Sequence, residues 1–388
     1  MTSSTSPSAA PAASKAHAPR GQATHSVDKK DLGFDFNKLV LHLYETVPQF
    51  IAPLRIEKFA LGQSNPTYFL VDGREQKYVL RKKPAGALLS PTAHAVEREY
   101  QVLHGLGTCG QVPVPRVYTL CTDSSVIGTP FYVMEFVKGR IFPSPALPEI
   151  PSKDRRAYWE AAIRTLARLH STDLHKAQLA SYGPSSGFYQ RQLKTLLKVS
   201  DAQAQVKDAK GKPVGVMPGR DMLKQWFEAN MPKDEATIIH GDYKFDNLIF
   251  HPTRPEVIGI LDWELSTLGH PLSDLANFLM SHYAPSQMTH SSIVGIQGRA
   301  ADLGIPTLTE CLDLYAQAAG RPRIAAFDFY AAFVFFKFAV ITQGVKARMY
   351  RGQASSREAG EASRLFEPCA EIAGRIIREA GGKGKSKL

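Results

Sequence analysis

Two short segments carry residue types suited to moving a phosphoryl group. The first is Ile239-His-Gly-Asp-Tyr-Lys-Phe-Asp-Asn-Leu-Ile-Phe250, and the second, one turn later, is Ile258-Gly-Ile-Leu-Asp-Trp-Glu264. Phosphoryl transfer from a nucleotide needs a carboxylate to orient the attacking hydroxyl, and oxygen ligands for a Mg²⁺ that bridges the phosphates. Asp242 is the candidate base, Asn247 five residues later a candidate Mg²⁺ ligand, and Asp262, closing the second strand, another. An Asp or Asn in a turn often does no more than close an Asx-turn. The combination of three at this spacing is what points to chemistry.

These polar clusters need a scaffold. From about Phe59 to Val137 the chain alternates like strands, at Tyr68–Val71, Tyr78–Leu80 and Phe131–Met134, with a helix expected over Thr92–Leu106. Beyond Gly139 long helical stretches dominate, Ser152–Leu174, Gly219–Ala229, Thr307–Ala319 and Ile324–Tyr350, around one strand-rich island at 237–262. Residues 198–219 are polar and rich in Lys, Gly and Pro, and read as an exposed loop or insertion. The expected organisation is α+β and bilobal: a disordered tail over 1–30, a β-rich nucleotide-binding lobe over 31–137, a helical lobe over 138–380 and a flexible tail over 381–388.

The spacing H-G-D-x-x-x-x-N resembles the kinase catalytic loop, and Asp262-Trp263-Glu264 stands where kinases carry D-F-G. Gly for Arg and Trp-Glu for Phe-Gly argue against a protein kinase. The variant is similar to the aminoglycoside and choline kinase group, which phosphorylates hydroxyls of small molecules. That resemblance implies a protein-kinase-like fold, ATP and Mg²⁺ as cofactors, and further site residues. The turn Leu61–Thr67 would cover the phosphates through Gly62, Ser64 and Asn65. Arg81 stands where a Lys is usual, a departure that a guanidinium fork can accommodate; Lys82 and Lys83 are alternatives. Glu99, with Glu97 as runner-up, would pair with that cation. Glu135 and Val137 lie in the hinge expected to hold adenine, and His240 and Asp274 take structural roles.

Several blocks narrow the likeness: Gly62-Gln-Ser-Asn-Pro-Thr67, Tyr78–Pro84, Val126-Ile-Gly-Thr129, Gly139-Arg-Ile-Phe142 and Leu261–Ala276. Together they resemble the kinase-like N-terminal domain of acyl-CoA dehydrogenase family members that process 4-hydroxy fatty acids. The substrate that follows is a 4-hydroxyacyl-CoA, with another small alcohol or a catalytically silent scaffold as alternatives. An apolar groove and cations for such a substrate are available on the helix Phe333–Arg351, from Phe335, Phe336, Lys337, Lys346, Arg348 and Arg351, although aromatic residues at helical spacing also serve as core.

Composition excludes other classes. The chain is 44% hydrophobic and 10% aromatic, enough for a large core. The formal charge of +11 is concentrated at the ends: residues 1–30 hold four Lys and Arg against one Asp, and residues 375–388 five against one Glu. A mildly basic body calls for no nucleic acid. Four scattered cysteines form no metal or disulfide pattern. The apolar run Ile324–Thr342 contains Asp328 and Lys337 and reads as a buried helix rather than a membrane span. Gly183-Pro-Ser-Ser-Gly187 fits the hydrolase elbow G-x-S-x-G without its strand and is read as a loop. The final Ser386-Lys387-Leu388 spells a peroxisomal address read by an import receptor, with a cytosolic location as the alternative.

Overall fold

A computed structural model describes residues 24–59, 65–84, 95–290, 293–354 and 356–385. Gly62, Ser64 and the Ser386–Leu388 address lie outside them. The N-terminal lobe contains β1 (Thr24–Ser26), α1 (Phe36–Thr46), β2 (Arg55–Phe59), β3 (Thr67–Val71), β4 (Lys77–Lys82), α2 (Val96–Cys109), β5 (Val117–Cys121), α3 (Ser124–Ile127) and β6 (Phe131–Glu135). Its strands form one antiparallel sheet in the order β1-β2-β3-β4-β6-β5.

Side chains alternate across a strand, so each sheet face collects every second residue. Tyr78, Leu80, Phe131 and Val133 face α1 and pack with Leu39 and Leu43 in one core. Val79, Tyr132 and Met134 face α2 and join Val96, Val102, Leu103 and Leu106 in a second core, which continues into the helical lobe. Arg81 shares the parity of Val79 and therefore belongs to the α2 face. Tyr132 is its cross-strand partner.

The helical lobe contains α4 (Ser152–His170), α5 (Phe188–Ala204), α6 (Arg220–Ala229), β7 (Thr237–Ile239), β8 (Leu248–Phe250), β9 (Val257–Ile260), β10 (Thr267–Gly269), α7 (Leu272–Leu279), β11 (Thr289–His290), β12 (Ile293–Val294), α8 (Ala300–Leu303), α9 (Leu308–Ala318), α10 (Asp328–Tyr350), α11 (Arg357–Ser363) and α12 (Phe366–Lys385). Strand β7 pairs with β10, and β8 with β9. These two ribbons present the candidate residues. Helix α10 is apolar on nearly every side because α12, α5, α7 and α11 surround it. It is the one helix among the described residues long and apolar enough to cross a membrane, yet 72% of its apolar window is buried within the protein. Phe335 and Phe336 are wholly buried there, which removes them from a substrate groove.

Three boundaries differ from expectation. Thr24–Ser26 pairs with β2, supplying hydrogen-bond partners to what would otherwise be an exposed edge, so order begins before residue 31. Helix α12 has helical backbone to Lys385, carried past its glycines by the packed segment that precedes them. In the 198–219 region α5 runs on to Ala204, and the following turn is anchored where Val206 and Val214 pack on Ala347 of α10. Residues 183–187 form the turn that enters α5.

Candidate active site

Strand β7 ends at Ile239, and the loop that follows is held by one buried carboxylate. Asp274, near the start of α7, accepts from the His240 N–H at 2.6 Å and the Gly241 N–H at 2.8 Å, and lies 3.3 Å from His170 Nε2. Burial works against its charge, but His170 and His240 outweigh that and hold its carboxyl below the ordinary value. Gly241 has φ +86, and a Cβ there would lie 2.5 Å from the Leu265 carbonyl oxygen. Only glycine fits both conditions, which explains its presence where kinases have Arg.

His240 is fully buried and links the two motifs. Its Nε2 lies 2.7 Å from the Leu261 carbonyl and its Nδ1 3.2 Å from the Asp242 N–H, so Nε2 donates and Nδ1 accepts. Asn247 donates through Nδ2 to the Asp242 carbonyl at 2.9 Å and to Asp242 Oδ2 at 3.2 Å, which leaves its Oδ1 as the oxygen for a cation. Asp262 adopts left-handed backbone with φ 66, a conformation that Asp tolerates better than most residues. Trp263 is buried, packs at a tilt against His240 with ring centroids 4.7 Å apart, and donates from Nε1 to the Ile260 carbonyl. It fastens the ribbon end that carries Asp262.

Arg81 reaches from β4 toward Asp262. Its Nε lies 3.2 Å from Glu99 Oε2, and its Nη2 lies 3.3 Å from Asp262 Oδ1 and 3.9 Å from Glu264. Burial opposes its charge, but Tyr132, Glu99, Asp262 and Glu264 together raise its pKa above the ordinary value. Burial likewise pushes the Glu99 carboxyl up, against the pull of Arg81. Glu99 is thus the partner of Arg81, while Glu97 pairs with Lys83 at 2.7 Å. Lys82 turns to the opposite face, over the Phe34 ring, so neither lysine replaces Arg81.

Asn65 has a contact that its turn position did not announce. Its side chain is buried and donates to Glu99 Oε1 at 2.8 Å, while the Tyr132 hydroxyl donates to Glu99 Oε2 at 2.9 Å. The side-chain amide therefore braces the ion pair. Glu135 closes β6, and its carboxylate accepts from the Arg116 N–H at 3.3 Å. Val137 packs over Gly259 and Ile249 of the β8–β9 ribbon, where a Cβ on Gly259 would lie 3.5 Å from Val137 Cγ1. Gly139 leaves no room for a side chain, since a Cβ would come within 2.4 Å of the Phe250 carbonyl oxygen. Arg140 and Phe250 exchange two backbone hydrogen bonds of 2.8 Å, which dock the hinge on the helical lobe.

A cavity of about 270 Å³ opens beside Asp242. Pro143, Phe278, Val294, Phe338 and Ile341 line it, with Lys244 and Lys337 as its cations. Lys244, which the sequence motifs did not single out, lies 3.2 Å from Asp242 and 3.3 Å from Asp246. Its signal was available as D-x-K, two residues past Asp242. Lys337 donates to the Gly241 carbonyl at 3.2 Å. Leu265 and Ile341, at 54% and 46% exposed, are large apolar side chains left open in this cavity. Lys346 pairs with Glu367 elsewhere on α10 and does not contribute.

Among the described residues no cluster of three or more His, Cys, Asp or Glu could hold a metal alone. Asn247 and Asp262 fit the other pattern, in which Mg²⁺ takes one or two protein oxygens and completes its shell with phosphates and water.

Comparison with known proteins agrees with this geometry. The chain is 42% identical over 331 residues to acyl-CoA dehydrogenase family member 10 of Mus musculus, covering 85% of this chain and 30% of that protein. It is 39% identical over 352 residues to family member 11 of Rattus norvegicus, covering 89% and 43%. The chain therefore spans less than half the length of these relatives. A crystal structure of a candidate aminoglycoside phosphotransferase from Ralstonia eutropha JMP134 superposes with a TM-score of 0.78 at 38% identity, covering 89% of this chain and 99% of the other. Aminoglycoside phosphotransferase APH(4)-Ia, at 13% identity and a TM-score of 0.54, shares the fold, covering 89% and 99%. The phosphotransferase enzyme family matches residues 55–324, and the chain belongs to that family, as a small-molecule phosphotransferase with a kinase-like fold.

Proposed function

We propose that the protein transfers the γ-phosphoryl group of ATP to the hydroxyl of a 4-hydroxyacyl-CoA. The observation that carries this reading is the cavity at Asp242, where exposed Leu265 and Ile341 meet two lysines. Exposed large apolar groups in a cleft are informative because water leaves them unsatisfied. An aminoglycoside or amino-alcohol would instead need free acids around the acceptor. Here the lining acids are Asp242 and Asp246, and Lys244 sits between them. The relatives' names, which include acyl-CoA, support the same substrate class.

In this reading Asp242 orients the acceptor hydroxyl and takes its proton as the new O–P bond forms. The bond from the γ-phosphorus to the bridging oxygen breaks, and ADP leaves. Arg81, anchored by Glu99, supplies the cation for the nucleotide phosphates, and Val137 and the Glu135 backbone border the adenine. Asn247 and Asp262 would hold Mg²⁺, whose contribution when bound is to neutralise charge across the phosphates. Lys244 keeps a positive charge beside the base, because Asp242 and Asp246 outweigh the burial that disfavours it.

The test is a panel of alcohols incubated with Mg²⁺-ATP: 4-hydroxyacyl-CoA, choline and aminoglycosides. Phosphorylation of the acyl-CoA is the expected result. Exclusive modification of an amino-alcohol or aminoglycoside would overturn the substrate while leaving phosphotransfer intact. A peroxisomal location, proposed from Ser386-Lys387-Leu388, is tested separately by deleting the tripeptide from a tagged protein; unchanged targeting would remove it.

A further inference from the structure

Behind the catalytic loop lies a second cavity of about 200 Å³, separate from the pocket that contains Asp242. Phe188, Tyr189, Ile239, Tyr330 and Phe333, all at most 9% exposed, form its apolar side, and like the first cavity it is open to solvent rather than enclosed. Leu265, Asn277, Val334 and Lys337 line both cavities, so the two meet at these side chains. Leu265 is the exposed lip where they meet, and its backbone presses on Gly241.

The geometry points to this second cavity as the binding site for the alkyl tail of the acyl substrate, the part of the chain beyond the hydroxyl. The inference rests on the hydroxyacyl reading above and adds the chain length and direction of the substrate. A hydroxyl held at Asp242 divides such a substrate into two arms. The arm ending in CoA carries phosphates and a nucleotide and needs an outlet to water, which the first cavity provides at exposed Ile341. The other arm is hydrocarbon. The second cavity suits it, being mainly apolar: aromatic rings form one side, Gln192, Thr267, Ser273 and Asn277 add neutral polar groups, and the oxygens of its single carboxylate, Asp274, are already taken by His240, Gly241 and His170. Lys337, the one cation in its lining, donates to the Gly241 carbonyl. The space is finite, so it takes a tail of limited length.

The experiment measures kcat/KM for 4-hydroxyacyl-CoA substrates with tails from one carbon to ten, using the full chain, Gln192→Trp and Val334→Ala. Gln192 lines only the second cavity of the two, from α5, and a Trp there would occupy it. For the native chain, kcat/KM rises about three- to fourfold for each added methylene, as burial of hydrocarbon predicts, and stops rising once the tail fills the cavity. Gln192→Trp lowers the ratio of long-tail to short-tail kcat/KM at least tenfold. Val334→Ala, which removes wall volume, moves the break to longer tails and carries the test if the Trp variant does not fold. A flat chain-length profile, or a Gln192→Trp loss equal at every length, would overturn the tail site while leaving the hydroxyacyl reading intact. If no hydroxyacyl-CoA is phosphorylated and another alcohol is, the hydroxyacyl reading and the tail site fall together.

Discussion

In the proposed reading, the nucleotide-facing wall and the acceptor-facing wall of the active site are built on opposite principles. On the nucleotide side, Arg81, Glu99, Asn65 and Tyr132 form a buried polar network in which each charge has a partner supplied by a different element. On the acceptor side, exposed Leu265 and Ile341 lie open beside Lys337. A buried charge left alone is costly, so the first wall is specified by pairing. The second is specified by shape and by what it leaves uncovered. The difference matches the reaction: phosphate chemistry is the same for every substrate of such enzymes, whereas the alcohol is particular to each.

Substitutions on the two walls should therefore fail in different ways. Asp262→Asn removes a charged ligand, and kcat should fall by about 10³-fold with little change in stability, as read from steady-state rates beside denaturant unfolding. Asp274→Ala leaves the His240 and Gly241 N–H groups without their acceptor, and should cost about 3 kcal/mol in a urea melt along with much of the activity. The same carboxylate gives a pH signature. Its folded pKa lies below the unfolded value of 3.8, so its stabilisation is complete above that pH and lost as pH falls through the lower folded value. Asp274→Asn should flatten that acid limb.

Arg81→Lys keeps the charge but loses the fork that touches Glu99 and Asp262 together, and should raise the KM for ATP about tenfold without altering acceptor preference. A parallel change in acceptor preference would break the division between the walls. The smallest effect belongs to Glu97→Gln. Its pair with Lys83 is half-exposed, so unfolding should shift by about 0.5 kcal/mol and the KM for ATP should hold. The contrast between Glu97 and Glu99, two residues apart on α2, sharpens the account further.

Legibility in the sequence follows the same division. Asp242, Asn247 and Asp262 could be read because their chemistry fixes residue types at short spacing within two ribbons. Glu99 was favoured over Glu97 by the V-E-R-E run, and in the fold it is Glu99 that meets Arg81 and Tyr132. The contact of Asn65 with Glu99 was not legible, because its partner lies 34 positions away and a buried amide looks like any other turn residue in a sequence. The acceptor wall was scarcely legible. Phe335 and Phe336 fell into the core while Lys337, Phe338 and Ile341 reached the cavity, an outcome set by how α10 is rotated among α5, α7 and α12. No periodicity in a helix that is apolar all round could reveal that rotation.

The most direct test of the central claim follows the phosphoryl group itself. Native protein and Asp242→Ala are each incubated with Mg²⁺-ATP and 4-hydroxyacyl-CoA, and the acyl product is examined by mass spectrometry. One phosphoryl group should appear on the hydroxyl with the native chain, and its formation should slow by about 10²- to 10⁴-fold with Asp242→Ala while circular dichroism stays unchanged. Equal rates for the two proteins would contradict the assignment of Asp242 as the base.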